Sequence, residues 1–275
     1  MNEPSSDPFD LRHGDCLEIL PTLGPGSHDL VVTSPPYNLG IDYRSYDDTG
    51  GRPEFLDWCR AWSREIRRVL ADDGSFFLNL GAAPSNPLFP HQLLLRLTDG
   101  PEPLFTLQNT FHWIKSISIE TRSGETLSAG HFKPINSKRY VNDCHEFVFH
   151  LTKTGNVGLD RRAAGVPYQD KSNISRWGHT GAVDKRCRGN NWFIPYDTIK
   201  SRDKQRPHPA TFPVALVEQC IALHGLGPRT RLLDPFLGIG SSAVAAQRQN
   251  LDRFTGIELD ESYLETARER LHTLI

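Results

Sequence analysis

Short unbroken apolar runs alternate along the chain with stretches whose apolar residues recur every three or four positions. This is the pattern of buried strands separated by amphipathic helices. Leu30-Val31-Val32 forms the first clear run and leads into a Pro-Pro turn. Pro53 stands where a helix begins, with Phe55, Trp58, Trp62, Ile66 and Val69 on one face, and Ala71-Asp72-Asp73-Gly74 ends it. Trp58 and Trp62, at helical spacing, are expected in the core. Ser75-Phe76-Phe77-Leu78-Asn79-Leu80 reads as the next buried strand, residues 91–97 as a short helix, and residues 106–114 and 146–151 as further strands. The Ser-, Gly- and Lys-rich stretch between those last two is too polar for core. Pro213 opens a helix that turns Leu216, Cys220 and Ile221 inward, Arg231-Leu232-Leu233-Asp234-Pro235-Phe236 runs as a strand into a glycine turn, and residues 241–250 are helical. Residues 253–259 form a strand, and Asp260-Glu261 caps a last helix with Leu264, Ala267, Leu271 and Leu274 on its buried face. The whole predicts an α/β sheet with helices against it.

The 275 residues, 37% of them hydrophobic, suffice for one substantial core and a small attached lobe. No stretch approaches the roughly 20 apolar residues of a membrane helix and no signal-type run opens the chain, so a cytoplasmic location is expected. The five cysteines are scattered and odd in number, which disfavours a disulfide framework and a structural zinc site; no metal is expected. The net charge of -2 is unevenly spread. Residues 151–210 hold twelve Lys or Arg against five Asp or Glu, in a stretch rich in Gly, Asn, Arg and Trp without helical periodicity. A charge run is more often a solvated face than a binding site, but this one suits a polyanionic partner.

Two segments carry candidate chemistry. Thr33-Ser34-Pro35-Pro36-Tyr37-Asn38 follows directly on a predicted strand, where open α/β sheets place ligand-binding residues. An isolated S-P-P-Y would more often be a rigid turn or a polyproline ligand, but such a ligand should be exposed rather than joined to Leu30-Val31-Val32. The second is Asp234-Pro235-Phe236-Leu237-Gly238-Ile239-Gly240, followed by a helix from Ser241, a strand, and then the acidic Glu258. Glycines let backbone N–H groups approach a ligand, and an acid ending the next strand accepts hydrogen bonds from ribose hydroxyls. The spacing from Gly240 to Glu258 is close to the ~20 residues of a nucleoside-binding βαβ unit.

On these segments the chain resembles the amino-methylating DNA methyltransferases, specifically the permuted β class in which the catalytic S/D/N-P-P-Y motif precedes the cofactor motif. The resemblance spans nearly the whole chain. His13-Gly14-Asp15 resembles the family segment whose Asp contacts the cofactor adenine, and His208-Pro209 with Phe212-Pro213 the element that closes over the cofactor's methionine part. The resemblance implies a Rossmann-like class I S-adenosylmethionine-dependent methyltransferase, a mixed sheet flanked by helices with a small basic target-recognition region. The expected division is a disordered tail at 1–9, a catalytic part at 10–154, target recognition at 155–206 and a cofactor-binding part at 207–275. S-adenosylmethionine would be held by Asp15, Thr33, His208, Phe212, Asp234, Phe236, Gly238, Gly240, Ser241 and Glu258. Catalysis would fall to Ser34, Pro35, Pro36 and Tyr37, and double-stranded DNA would meet Arg176, Arg186, Arg188, Asn190 and Asn191, near Trp177 and Trp192. The resemblance leaves room for a companion restriction endonuclease acting on the same site and for a homodimer. Glu146 resembles a family position near the flipped base, although a strand-end acid is commonly just solvated.

The implied chemistry suits the residues. An exocyclic base amine is a poor nucleophile because its lone pair is delocalised into the ring. The Ser34 hydroxyl and the Pro35 carbonyl would accept its hydrogens, so that it attacks the donor methyl in line. Tyr37 would stack on the flipped base. No cysteine follows a proline, which argues against C5-cytosine methylation. A serine at position 34 favours N4 of cytosine by family tendency, with N6 of adenine as the alternative. A methyltransferase acting on RNA or protein, or a non-catalytic nucleoside-binding module, would keep the glycine turn and Glu258; the non-catalytic reading predicts a degraded S-P-P-Y and the protein-substrate reading gives no reason for the basic segment, but the sequence alone eliminates neither alternative.

Overall fold

A computed structural model of the chain describes residues 8–38, 51–84, 86–130, 136–176, 181, 183–195, 211–227 and 230–273. Ten strands run in chain order: β1 (Phe9–His13), β2 (His28–Thr33), β3 (Leu70–Leu80), β4 (Thr106–Ile114), β5 (Ile117–Glu120), β6 (Thr126–Ala129), β7 (His145–Thr152), β8 (Asn191–Phe193), β9 (Arg231–Asp234) and β10 (Arg253–Glu258). Eight of them form one sheet in the order β1-β10-β9-β2-β3-β7-β4-β8, while β5 and β6 make a separate hairpin. Every neighbouring pair in the large sheet is parallel except those made by β7, which is antiparallel to both β3 and β4. This is the expected mixed sheet.

The helices are α1 (Cys16–Ile19), α2 (Arg52–Val69), α3 (Phe89–Thr98), α4 (Asn173–Arg176), α5 (Val214–His224), α6 (Ser241–Arg248) and α7 (Glu261–His272). They cover both faces. Successive strand residues point to opposite sides, so Val31, Phe76 and Leu78 join α1, α2 and α3 in one core, while Leu30, Val32 and Phe77 join α5, α6 and α7 in the other. Because both faces are buried, the central strands are continuous apolar runs rather than alternating ones. On α2 the buried positions are Phe55, Cys59, Trp62, Ile66 and Val69, and Asp260 caps α7 by accepting from the N–H groups of Ser262 and Tyr263. Among the described residues no helix is long and apolar enough to cross a membrane.

Four local readings change. The strand expected at Ser75 begins at Leu70, directly after α2. Phe9–His13, whose first residue was assigned to a polar tail, is an edge strand paired with β10. The polar stretch after β4 contains the β5–β6 hairpin, with Ile119 opposite Leu127 and both exposed. The basic segment, expected to stand apart as a target-recognition region, contributes β8 to the large sheet. There Trp192 is 1% exposed and stacks on Phe111 at 4.3 Å between centroids. Residues 1–7, Trp177, His208, Pro209 and Leu274 lie outside the described residues.

Candidate active site

The sheet order reverses between β9 and β2, where one βαβ unit runs outward through β10 and the other chain direction runs through β3. A crevice opens there, beyond the carboxyl ends of the strands. Its lining comes from Gly14, Asp15, Ser34, Pro35, Pro36, Tyr37, Trp58, Asn79, Trp113, Glu146, Phe212, Phe236, Gly238, Ser241, Glu258, Asp260 and Tyr263, among others. Because β7 is antiparallel, its first residues reach the same end of the sheet as the last residues of β3. That places Glu146 beside Asn79.

At one end of the crevice the chain is held by its own backbone. The Glu258 carboxylate accepts the Gly238 N–H at 2.7 Å and the Asp260 N–H at 2.9 Å. Gly238 has φ +54° and Gly240 φ +80°, a left-handed backbone that favours glycine. A Cβ on Gly240 would also lie 2.7 Å from that of Ala267, so the second glycine lets α7 pack against the turn. Burial raises the Glu258 carboxyl above its ordinary value. Asp15 lines the same end while capping α1, its Oδ1 accepting from the Leu17 N–H at 2.8 Å. The Gly14 N–H donates to the Glu258 carbonyl at 2.9 Å, which fixes this segment to β10. Trp58 packs on Phe236 at 5.6 Å and belongs to the wall rather than wholly to the core, whereas Trp62 is fully buried.

The other end is built from side chains. Ser34 Oγ lies 2.6 Å from Tyr37 Oη. The Asn79 amide nitrogen lies within donating distance of Tyr37 Oη (2.9 Å), Ser34 Oγ (3.3 Å) and Glu146 Oε2 (2.7 Å). Tyr37 Oη is also 3.2 Å from Glu146 Oε2, and Lys115 Nζ pairs with Glu146 Oε1 at 3.0 Å. Gly81 leaves room for this cluster, since a Cβ there would stand 3.0 Å from the Tyr37 ring and 3.2 Å from the Glu146 carboxyl carbon. Tyr37 therefore offers its hydroxyl to the network as well as a ring to the crevice.

The two ends are joined through Asp234. Its fully buried carboxylate accepts from Thr33 Oγ1 (2.6 Å), Ser242 Oγ (2.5 Å) and the Phe236 N–H (3.1 Å), and burial pushes its pKa up to about 6. Asp234 and Thr33 do not line the crevice, and neither does Gly240. They lock the end of β2 to the glycine turn instead. Asp15, Phe212, Phe236, Gly238, Ser241 and Glu258 do converge there, as do Ser34, Pro35, Pro36 and Tyr37. The five expected DNA-contacting residues do not. Asn191 pairs with His112 in the sheet, Asn190 donates to the Thr110 carbonyl at 3.2 Å, Arg188 donates to the Ala164 carbonyl at 3.1 Å, and Arg186 bridges to Val166. Arg176 ends α4, exposed. Asn79 was read only as a strand residue; its signal, a polar side chain inside an otherwise apolar buried run, was present in the sequence.

A mixed sheet with this order, a glycine turn under a strand-end acid and a proline-stiffened serine loop beside it define the class I S-adenosylmethionine-dependent methyltransferases. Residues 28–269 match the family model described as DNA methylase, which unites N6- and N4-methyltransferases. The chain belongs to that family: it is a DNA amino-methyltransferase whose methyl donor is S-adenosylmethionine. It is similar to the type II methyltransferase M.ScaI of Streptomyces caespitosus, 29% identical over 95% of this chain and 80% of the relative. It is also similar to the DNA adenine methyltransferase YhdJ of Escherichia coli K12, 26% identical over 95% and 82%. Among solved structures, the PvuII DNA methyltransferase (cytosine-N4-specific) superposes with a TM-score of 0.68 at 20% identity, covering 96% of this chain and 86% of the other.

The crevice suits such a donor. Each Glu258 oxygen accepts one backbone N–H and keeps further acceptor capacity for ribose hydroxyls. The described lining holds Asp15, Glu146, Glu258 and Asp260 but no Lys or Arg, as befits a cationic sulfonium.

Proposed function

We propose that the protein transfers methyl to N4 of cytosine in a specific duplex sequence, with the target base flipped into the Ser34 end of the crevice. The observation that carries this reading is the placement of Ser34 Oγ. It is fixed between Tyr37 Oη and the Asn79 amide, beside the Pro35 carbonyl and across the crevice from Glu258. Bound cofactor would supply an electrophilic methyl. Asp15, Phe236, Gly238, Ser241 and Glu258 would hold it, with Phe212 over its methionine part. Ser34 and Pro35 would accept the two amine hydrogens and draw the lone pair out of conjugation, an effect concentrated in the transition state. Tyr37 would cover the base face, offsetting part of the few kcal/mol lost on unstacking. A serine in the S-P-P-Y position supports cytosine as the target. Incubation with labelled cofactor and duplex DNA followed by nucleoside analysis tests it: N4-methylcytosine is expected, and N6-methyladenine would overturn the choice of base while leaving the chemistry intact.

A further inference from the structure

The methylated amine must lose a proton, and the reading above names no group to take it. We propose that Glu146 receives it through the hydroxyls of Ser34 and Tyr37; this rests on the DNA amino-methylation reading but not on which base is methylated.

The direction of the relay follows from Asn79. An amide nitrogen only donates, and this one lies against the oxygens of Ser34, Tyr37 and Glu146 at once. Its two hydrogens serve two of these three oxygens at a time, and it cannot itself accept a proton. Asn79 is 2% exposed, so its amide is buried with the hydroxyls it faces. The Tyr37 hydroxyl hydrogen has two acceptors at 3.2 Å, the Asn79 main-chain carbonyl and Glu146 Oε2, and the relay uses the rotamer that points to Glu146 Oε2. Tyr37 Oη is then left to accept from Ser34 Oγ–H at 2.6 Å, and Ser34 Oγ keeps a lone pair for an incoming N–H. Lys115, the residue after β4, holds the other oxygen, Oε1, and so turns Oε2 toward the relay. Glu146 is only 9% exposed, and the other crevice acids Asp15, Glu258 and Asp260 are engaged with backbone N–H groups at the far end.

The balance is simple. As the N–CH3 bond forms, the donor's S–CH3 bond breaks and sulfur keeps the pair, leaving the amine cationic. One N–H proton passes to Ser34 Oγ, the Ser34 proton to Tyr37 Oη and the Tyr37 proton to Glu146 Oε2. Both hydroxyls end neutral, and Glu146 ends as the carboxylic acid, which releases its proton to solvent after turnover. The charged or titratable groups around Glu146 are Lys115, Tyr37 and His145, with His112 next to His145 at 6.0 Å between rings. Burial lowers the His145 pKa, so it must be tested as a rival.

The test is the pH dependence of single-turnover methyl transfer in the parent, Glu146→Gln, Tyr37→Phe, their double variant and His145→Gln, with cofactor and DNA affinities measured by calorimetry on each. Expected are a parent rate that falls toward acid with the slope of one proton, a loss of about 10²-fold or more in Glu146→Gln with the acid limb abolished, and near-parental affinities. Tyr37→Phe keeps the ring and is expected to lose a similar factor, with the double variant no slower than the slower single one. Glu146→Asp, which restores a carboxylate, is expected to restore the limb and so separates proton transfer from misfolding. An active parent whose Glu146→Gln variant keeps its rate and its acid limb, or a limb that disappears in His145→Gln instead, overturns the relay. A parent that methylates no DNA overturns the reading beneath it.

Discussion

The two ends of the crevice are built by opposite means. At Glu258 the partners are the N–H groups of Gly238 and Asp260, which belong to the same βαβ unit and are placed by the turn itself. At Ser34 the partners are the side chains of Tyr37 and Asn79, both in turn bonded to Glu146, so that a loop and two further strands contribute. A backbone-built end tolerates change in its side chains but not in its glycines. A side-chain-built end depends on each member, because removing one leaves the others buried with unmet hydrogen bonds. The catalytic end should therefore be the more fragile of the two in rate, and the cofactor end in affinity.

The largest expected effect tests that asymmetry directly. Ser34→Ala should lower the single-turnover rate about 10²- to 10³-fold, the scale for removing one preorganised group aimed at developing charge, with cofactor affinity within about twofold of the parent. Equal losses in rate and cofactor affinity would mean that the two ends are not separable. Glu258→Ala should do the reverse. Its loss removes charged hydrogen bonds to hydroxyls worth about 1.5–3 kcal/mol, hence a roughly 10- to 100-fold weaker cofactor Kd by calorimetry, with DNA affinity unchanged.

The same contrast explains what could be read from the chain beforehand. The glycine turn, its helix and Glu258 lie within one short stretch, and the S-P-P-Y segment is contiguous, so both were legible as local patterns. Asn79 and Glu146 are 67 residues apart and meet only because β3 and β7 pair antiparallel. Neither spacing nor periodicity records such a meeting. β1 was missed because Asp10 and Arg12 interrupt its apolar residues at the sheet edge, where they pair with each other. β8 was missed because three residues at an edge are too few to show a period. Asp234 was legible as part of a motif, but its burial against Thr33 and Ser242 was not.

A third prediction concerns the end of the sheet remote from the crevice, so that pH effects on stability are not mistaken for the relay. His150 is buried against Ser75 Oγ at 3.0 Å and stacked on Phe77, and His28 is buried beside Thr255 Oγ1. Burial lowers both pKa values to about 4, with the nearby His224 and Arg231 charges adding to it respectively. Unfolded imidazoles titrate near 6.5, so between about pH 6.5 and 4 the unfolded chain binds more protons. Stability is complete above that window and falls as pH drops through it, by about 3 kcal/mol per histidine at pH 4 and roughly half that at pH 5.5. Urea unfolding at pH 7.5 and 5.5 measures it. His150→Asn should flatten the dependence by about half; an unchanged slope would remove His150 from the account.

The smallest expected effect lies in the basic segment, the one candidate set that neither end of the crevice gathers in. Asn190 donates to the Thr110 carbonyl on β4 and Arg188 to the Ala164 carbonyl, so their substitution should loosen the approach to β8, whereas Asn191 is held in β8 by its backbone and its side chain is exposed. Arg176 and Arg186 are exposed and are the better candidates for phosphate. A phosphate contact carries no sequence information. Alanine at either should therefore weaken binding to cognate and random duplexes alike and reduce the slope of log Kd against log salt by roughly 0.9 per contact. A change in discrimination of about 1–3 kcal/mol at one base pair, with the salt slope intact, would instead make that arginine a base reader. Fluorescence anisotropy on both duplexes across a salt series distinguishes these, and parental behaviour at both positions would move DNA recognition off residues 155–195 altogether. The exposed β5–β6 hairpin, which follows Lys115 out of the catalytic end, would then be the next element to alter.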